Sequence, residues 1–206
     1  MNICKDYETL LANTEQIIEQ ESLFYPEFFQ SQTESDEDDI FTHCKTCNLS
    51  NSLSLKNRGV GSNNPILMII SDKPEQISSS TYRSFDMESG MLFTKMLTAM
   101  NISKDDVFIT TFYKCLNADL ANSNCKKILE KQIEKLNPKV ILTLGNATIA
   151  ELLKRKDPLD VLRDENLTFS GKPLFASYHP RDLIKTTALK RKSWDDLQKI
   201  MKVLSI

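Results

Sequence analysis

Val140-Ile141-Leu142-Thr143-Leu144, entered through Pro138-Lys139 and left through Gly145-Asn146, decides the fold of this chain. Five residues, four of them apolar and three β-branched, have the length and character of a strand buried on both faces. Such strands belong to parallel sheets covered by helices. Three further runs share that character: residues 66–70 (Ile-Leu-Met-Ile-Ile), Val107–Thr111 (Val-Phe-Ile-Thr-Thr) and 174–177 (Leu-Phe-Ala-Ser). Helical periodicity fills the intervals. Leu92, Phe93, Met96, Leu97 and Met100 follow a capping residue expected at Ser89. Ile128, Leu129, Ile133 and Leu136 mark a second helix, stopped before Pro138. Residues 146–154 and 193–204 form two more, the last expected to bury Trp194, Leu197, Ile200 and Met201. Alternation of this kind predicts an α/β fold: a three-layer α/β/α domain around a central four-stranded parallel sheet with right-handed crossovers.

Open parallel sheets bind ligands beyond the carboxyl ends of their strands. Directly after the four runs stand Ser71-Asp72-Lys73-Pro74-Glu75, Tyr113-Lys114-Cys115, Gly145-Asn146 and Tyr178-His179-Pro180. Chemistry-bearing residues are thus expected along one edge, although polar loops would supply part of that pattern by themselves.

Three regions divide the 206 residues. Residues 1–29 form an N-terminal arm with a helical apolar pattern at Tyr7, Leu10, Leu11, Ile17 and Ile18. Residues 30–40 are an acidic linker expected to be disordered. Residues 41–206 are the folded domain. The formal charge of −2 conceals an asymmetry, for residues 1–40 set eleven acids against Lys5 alone, whereas the remainder is basic. A basic body suits a phosphate-bearing partner, and equally a lysine-rich solvated surface. No apolar run reaches the ~20 residues that span a bilayer. Five cysteines and no secretory pattern at the start point to a reducing cytoplasm. Cys4 stays unassigned.

Cys44-Lys-Thr-Cys47 has the two-residue gap that turns both sulfurs toward one metal centre, and Cys115 and Cys125 supply two more thiolates. Four thiolates suit a tetrahedral zinc or an iron–sulfur cluster, while unrelated buried thiols are the plain alternative.

Taken together, the segments resemble the iron–sulfur uracil-DNA glycosylases, most closely family 4, over about residues 41–204. The resemblance rests on Cys44, Cys47 and Leu49; on Arg58, Gly59 and Gly61; on Lys114-Cys115, Cys125, Pro138-Lys139-Val140 and Leu144-Gly145. It rests most specifically on Tyr178-His179-Pro180 with Leu183, Ala188-Leu189-Lys190-Arg191 and Trp194-Asp195-Asp196-Leu197. It implies a [4Fe-4S] cluster on Cys44, Cys47, Cys115 and Cys125, a uracil-DNA glycosylase-like domain, and DNA containing uracil or another damaged base as partner, with a monomer expected.

The same resemblance assigns roles. His179 would hydrogen-bond a uracil carbonyl as negative charge develops, and Asp72 would orient water or stabilise an oxocarbenium-like sugar. Phe85 would stack the flipped base, with Ser71, Lys73 and Thr111 lining its pocket. From their place beside His179 rather than from the resemblance, Arg181, Lys185, Lys190, Arg191 and Lys192 would meet duplex phosphates, a solvated helix start being the plain alternative, and Leu183 or Ile184 would fill the vacated stack. Departures are concentrated in the first motif. Ser71-Asp72-Lys73-Pro74-Glu75 replaces the family's Gly-Glu-Ala-Pro-Gly, Ser78-Ser79-Ser80 replaces the acids that follow it, and Thr111 replaces an asparagine. A threonine lacks the amide's paired donor and acceptor. The reading is therefore excision of uracil from DNA. Its rivals are a weak or inactive DNA-binding relative, a glycosylase for another lesion, and a zinc-stapled interaction domain.

Overall fold

The computed structural model describes residues 58–76, 82–114 and 123–206. The expected arm at 1–29, the linker at 30–40, the start of the domain at 41, and Cys44, Cys47 and Cys115 lie outside the described residues. The strands are β1 (Val60–Gly61), β2 (Leu67–Ser71), β3 (Glu75–Gln76), β4 (Tyr82–Arg83), β5 (Val107–Thr111), β6 (Val140–Leu144), β7 (Leu167–Phe169) and β8 (Lys172–Ser177). The helices are α1 (Met87–Ala99), α2 (Ser123–Leu136), α3 (Asn146–Leu153), α4 (Leu159–Leu162), α5 (Pro180–Lys185) and α6 (Leu189–Leu204).

Six strands form one sheet in the order β1-β5-β2-β6-β8-β7, and β3 pairs with β4 in a separate ribbon. The inner four run parallel, as the apolar runs predict. Every residue of β2, β5 and β6 is buried. Full burial of one such aliphatic side chain is worth about 1.5–3 kcal/mol, which is why these runs show no polar alternation. Antiparallel β1 and β7 extend the sheet at its edges. They were not expected, because two and three residues are too few to display a period. Gly61 makes the β1 edge possible: its φ is +128°, and a Cβ there would fall 2.2 Å from the Val107 carbonyl oxygen.

The connections matter for function. From β2 the chain crosses through α1 to β5 on one side, then returns through α2 to β6 on the other. The strand order reverses between β2 and β6, the position at which open α/β sheets leave a crevice for ligands beyond the carboxyl ends.

Two expectations about helices are corrected. Ser89 is not the cap of α1 but its third residue; Asp86 caps, accepting from the Ser89 amide (2.9 Å) and the Ser89 hydroxyl (2.9 Å). A carboxylate has acceptors for both donors, so the helix starts three residues earlier. Trp194 is 37% exposed rather than buried, whereas Ser193, Asp196, Leu197 and Ile200 are buried. Polar contacts draw Ser193 and Asp196 inward, which rotates the buried stripe of α6 away from Trp194.

Candidate active site

Four chain segments meet at the reversal point. Ser71 ends β2, Thr111 lies beside it in register on β5, Gly145 follows β6, and His179 follows β8. Gly145 has a φ of +89°, and its amide donates to the Ser177 carbonyl at 2.8 Å. A Cβ at Gly145 would lie 3.6 Å from the His179 Cβ, so this glycine turn sits directly beside the histidine.

His179 is the N-cap of α5. Its carbonyl accepts from Asp182 and Leu183, and its Nδ1 accepts the Arg181 amide at 3.2 Å. Pro180 suits the first helical position because its missing N–H would have no partner there. A neutral imidazole whose Nδ1 accepts must carry its proton on Nε2. Burial, aided by the Arg181 charge, pushes the imidazole below its ordinary value, so the neutral form dominates near pH 7. His179 therefore offers one Nε2–H donor. Its ring stands 5.5 Å from that of Phe85, which packs 5.1 Å from Phe93 and is 7% exposed. Phe85 thus has both a core contact and an edge on the site.

The first motif follows β2. Ser71 is buried, and its hydroxyl donates to the Ser84 carbonyl (3.1 Å), so it braces the segment leading to Phe85. Asp72 is half-buried, and its carbonyl accepts from the Tyr113 amide at 2.9 Å. Lys73 is exposed. The Thr111 hydroxyl donates to the Tyr113 carbonyl at 2.6 Å. Glu75 reaches across to Arg181, Oε1 to Nη2, at 2.5 Å. Arg181 also binds Asp86 Oδ2 through Nη2 (2.9 Å) and Nε (3.3 Å). Burial works against ionisation of Asp86, but the Ser89 amide and Arg181 outweigh it and hold that carboxyl below its usual range.

Beneath His179 lies a network that sequence reading missed. Asp196 on α6 is 1% exposed and pairs with Arg163 just after α4, Oδ2 to Nε at 3.0 Å and Oδ1 to Nη2 at 2.8 Å, the second without good hydrogen-bond direction. Ser177 donates to Asp196 Oδ2 at 2.8 Å and shares a 3.0 Å contact with Ser193. Arg163 also donates to the Lys192 carbonyl and lies 5.5 Å over the Tyr178 ring. The Tyr178 hydroxyl donates to Asp160 at 2.5 Å. Ser177 and Tyr178, the two residues before His179, are thereby tied to α4 and α6. Burial raises the Asp196 carboxyl above its ordinary value, against the pull of Arg163 and Ser177. Asp196 belonged to a quoted motif, but only the fold shows what it holds.

A model of the uracil DNA glycosylase superfamily matches residues 58–198. The chain belongs to that superfamily. It is 25% identical over 177 residues to a type-4 uracil-DNA glycosylase of Saccharolobus solfataricus, covering 79% of this chain and 82% of the relative. Type-4 enzymes of Thermotoga maritima and Archaeoglobus fulgidus are also 25% identical, each over 76% of this chain and 86% of their own length.

In this glycosylase fold the basic residues sort into two groups. Arg181, expected at DNA phosphates, has its guanidinium committed to Glu75 and Asp86, and Lys192 pairs with Asp160 at 2.8 Å. Lys185, Lys190 and Arg191 are exposed and make no ion pair with described residues. Leu183, expected as a wedge, is 2% exposed because it forms the inner face of α5; Ile184 beside it is half-exposed.

Beyond the end of β5 the domain is held differently. Lys114, 1% exposed, donates to Thr110 (2.6 Å) and to Gln132 Oε1 (2.7 Å), and Gln132 Nε2 donates to the Arg58 carbonyl at 2.6 Å. Cys125 is a buried free thiol in the first turn of α2. Among the described residues no group of three or more His, Cys, Asp and Glu is placed to hold a metal. No helix among them is long and apolar enough to cross a membrane.

Proposed function

We propose that this chain removes uracil from DNA by hydrolysing the N-glycosidic bond, the opening step of base-excision repair. The observation that carries the reading is His179: a neutral imidazole with Nδ1 occupied and Nε2–H free to donate, beside Phe85, at the strand-order reversal of a uracil DNA glycosylase-superfamily domain. The base must leave the helical stack, at a cost of a few kcal/mol, to reach that donor. Bond cleavage passes an electron pair to the base, and charge appears on its carbonyl oxygen. The His179 donor meets it there, an interaction stronger in the transition state than before it. Asp72, with the carboxylate role, orients the water whose oxygen bonds to the sugar carbon.

Cys44, Cys47, Cys115 and Cys125 would hold a [4Fe-4S] cluster. Two observations support this donor set. Cys125 is buried without a disulfide, and the Lys114–Gln132–Arg58 link joins the residue before Cys115, the helix bearing Cys125 and the chain leading from Cys47. When bound, such a cluster would cross-link the segments that carry the four cysteines.

A second reading, excision of a different damaged base, is favoured by one observation. The Thr111 hydroxyl is spent on the Tyr113 carbonyl, so nothing at that position presents an amide to the uracil edge. Cleavage assays with anaerobically purified protein on oligonucleotides carrying uracil or other damaged bases decide between them. Strand scission at uracil after alkaline treatment supports the first reading; activity confined to another base supports the second; activity on none defeats both. Equal iron and sulfide with broad visible absorbance is expected of the purified protein, and colourless protein with stoichiometric zinc would overturn the cluster.

A further inference from the structure

Arg181 does more than neutralise two acids. Its own amide donates to His179 Nδ1 (3.2 Å), while its guanidinium spans Glu75 of β3 and Asp86, the cap of α1. Three separate elements are thus joined through one residue: β3, the cap of α1 and the start of α5. Glu75 occupies the position where the sequence resemblance calls for a glycine. A glycine would offer no partner to Arg181.

We propose that Arg181 is the positioning residue for His179, and that Glu75 is its holder, so that the changed first motif and the histidine motif compensate one another through this clamp. The inference rests on the glycosylase reading for its catalytic consequence, though not for its structural one. The clamp fixes the backbone at residue 181 and so keeps the amide on Nδ1, leaving the proton on Nε2. It also balances charge around the ring. Among the described residues, the charged groups facing His179 are Arg181 and Asp182 of α5, Asp86 before α1, and Glu75 of β3. Removing the one cation leaves three carboxylates against the imidazole, which favours its protonation. Removing Glu75 leaves Arg181 less balanced, which disfavours it. The two changes therefore act in opposite directions.

Histidine is present twice in the chain, so the His179 signal is assigned by its loss in His179→Gln. Its titration is followed by NMR in the unaltered protein, Arg181→Met, Arg181→Lys and Glu75→Gln. Arg181→Met is expected to shift the His179 midpoint upward and Glu75→Gln downward, with Arg181→Lys restoring most of the original value. Shifts of one sign in both variants, or none in either, overturn the proposal whatever the protein does to uracil. In the cleavage assay Arg181→Met is expected to lower kcat about tenfold with KM nearly constant, and to move the acid limb of the profile upward. Glu75→Gln combined with Arg181→Met should lose no more than Arg181→Met alone, since both act through one contact. A raised KM and a reduced salt slope with unchanged kcat would instead make Arg181 a phosphate contact and overturn the positioning role. Absence of cleavage by the unaltered protein sinks the uracil reading and leaves the titration to judge the clamp.

Discussion

The two walls of the crevice are built on different principles. On the β8 side, Ser177 is anchored from within by Asp196, itself paired with buried Arg163, and Tyr178 is tied to exposed Asp160, so His179 emerges from a braced strand end. On the β2 side, Ser71 is tied to Ser84, but Glu75 finds its partner only across the site, on Arg181. The wall that retains the family's motif has an anchor of its own beneath it, and the wall that departs from it adds a tie across the site through Arg181. A replacement in the first motif that reaches across thus becomes part of what holds the histidine.

Breaking the anchor beneath the β8 wall should have the largest effect. Asp196→Ala leaves Arg163 charged and buried without its carboxylate, and should cost about 3–5 kcal/mol in urea denaturation. A loss near that of an exposed ion pair would show that the network contributes little. Next comes His179→Ala, expected to reduce uracil turnover about a hundredfold, or about 2.7 kcal/mol, with duplex affinity nearly constant. An equal loss of affinity would place His179 in ground-state binding. The pH dependence follows the same group: the folded imidazole titrates below its ordinary value, so the unfolded chain binds more protons between the two midpoints. Its contribution to stability therefore rises with pH through that window, and excision falls on the acid side once the folded imidazole charges.

Smaller effects sharpen the contrast. Thr111→Asn restores an amide on the departed wall and should raise uracil excision by about tenfold, the scale of one good hydrogen bond; a fall would mean that the Thr111–Tyr113 contact shapes the crevice. Least of all, Lys190→Ala or Arg191→Ala should weaken DNA binding across all sequences and reduce the salt slope by about one. A change confined to uracil-containing duplexes would put these residues in base recognition.

How much of this was legible depends on whether an element announces itself locally. The four parallel strands did, because burial of β2, β5 and β6 on both faces leaves unbroken apolar runs and β8 keeps a shorter one, and their carboxyl ends then located His179, Asp72 and Gly145. Cap position did not, since Asp86 and Ser89 are both good capping residues and only the helix axis chooses between them. Nor did the Asp196–Arg163 pair, whose partners stand far apart in the chain and look like ordinary surface charges until α4 and α6 pack beside β8. Arg181 was legible only in part for the same reason. Its charge is visible in the sequence, but the carboxylates that claim it are brought close only by the fold.

The buried bond chain from Lys114 through Gln132 to Arg58 has a consequence in polymer terms. Joining Cys47 to Cys125 through one centre would close a loop of roughly 80 residues in an unstructured chain. With Arg58 already fastened to α2, the free contour between those two cysteines shrinks to roughly 20 residues, a fourfold reduction worth about 1.2 kcal/mol of ring-closure entropy. Gln132→Ala, at the residue that bridges Lys114 and Arg58, would return that entropy to the chain and slow the assembly of any centre held by those cysteines.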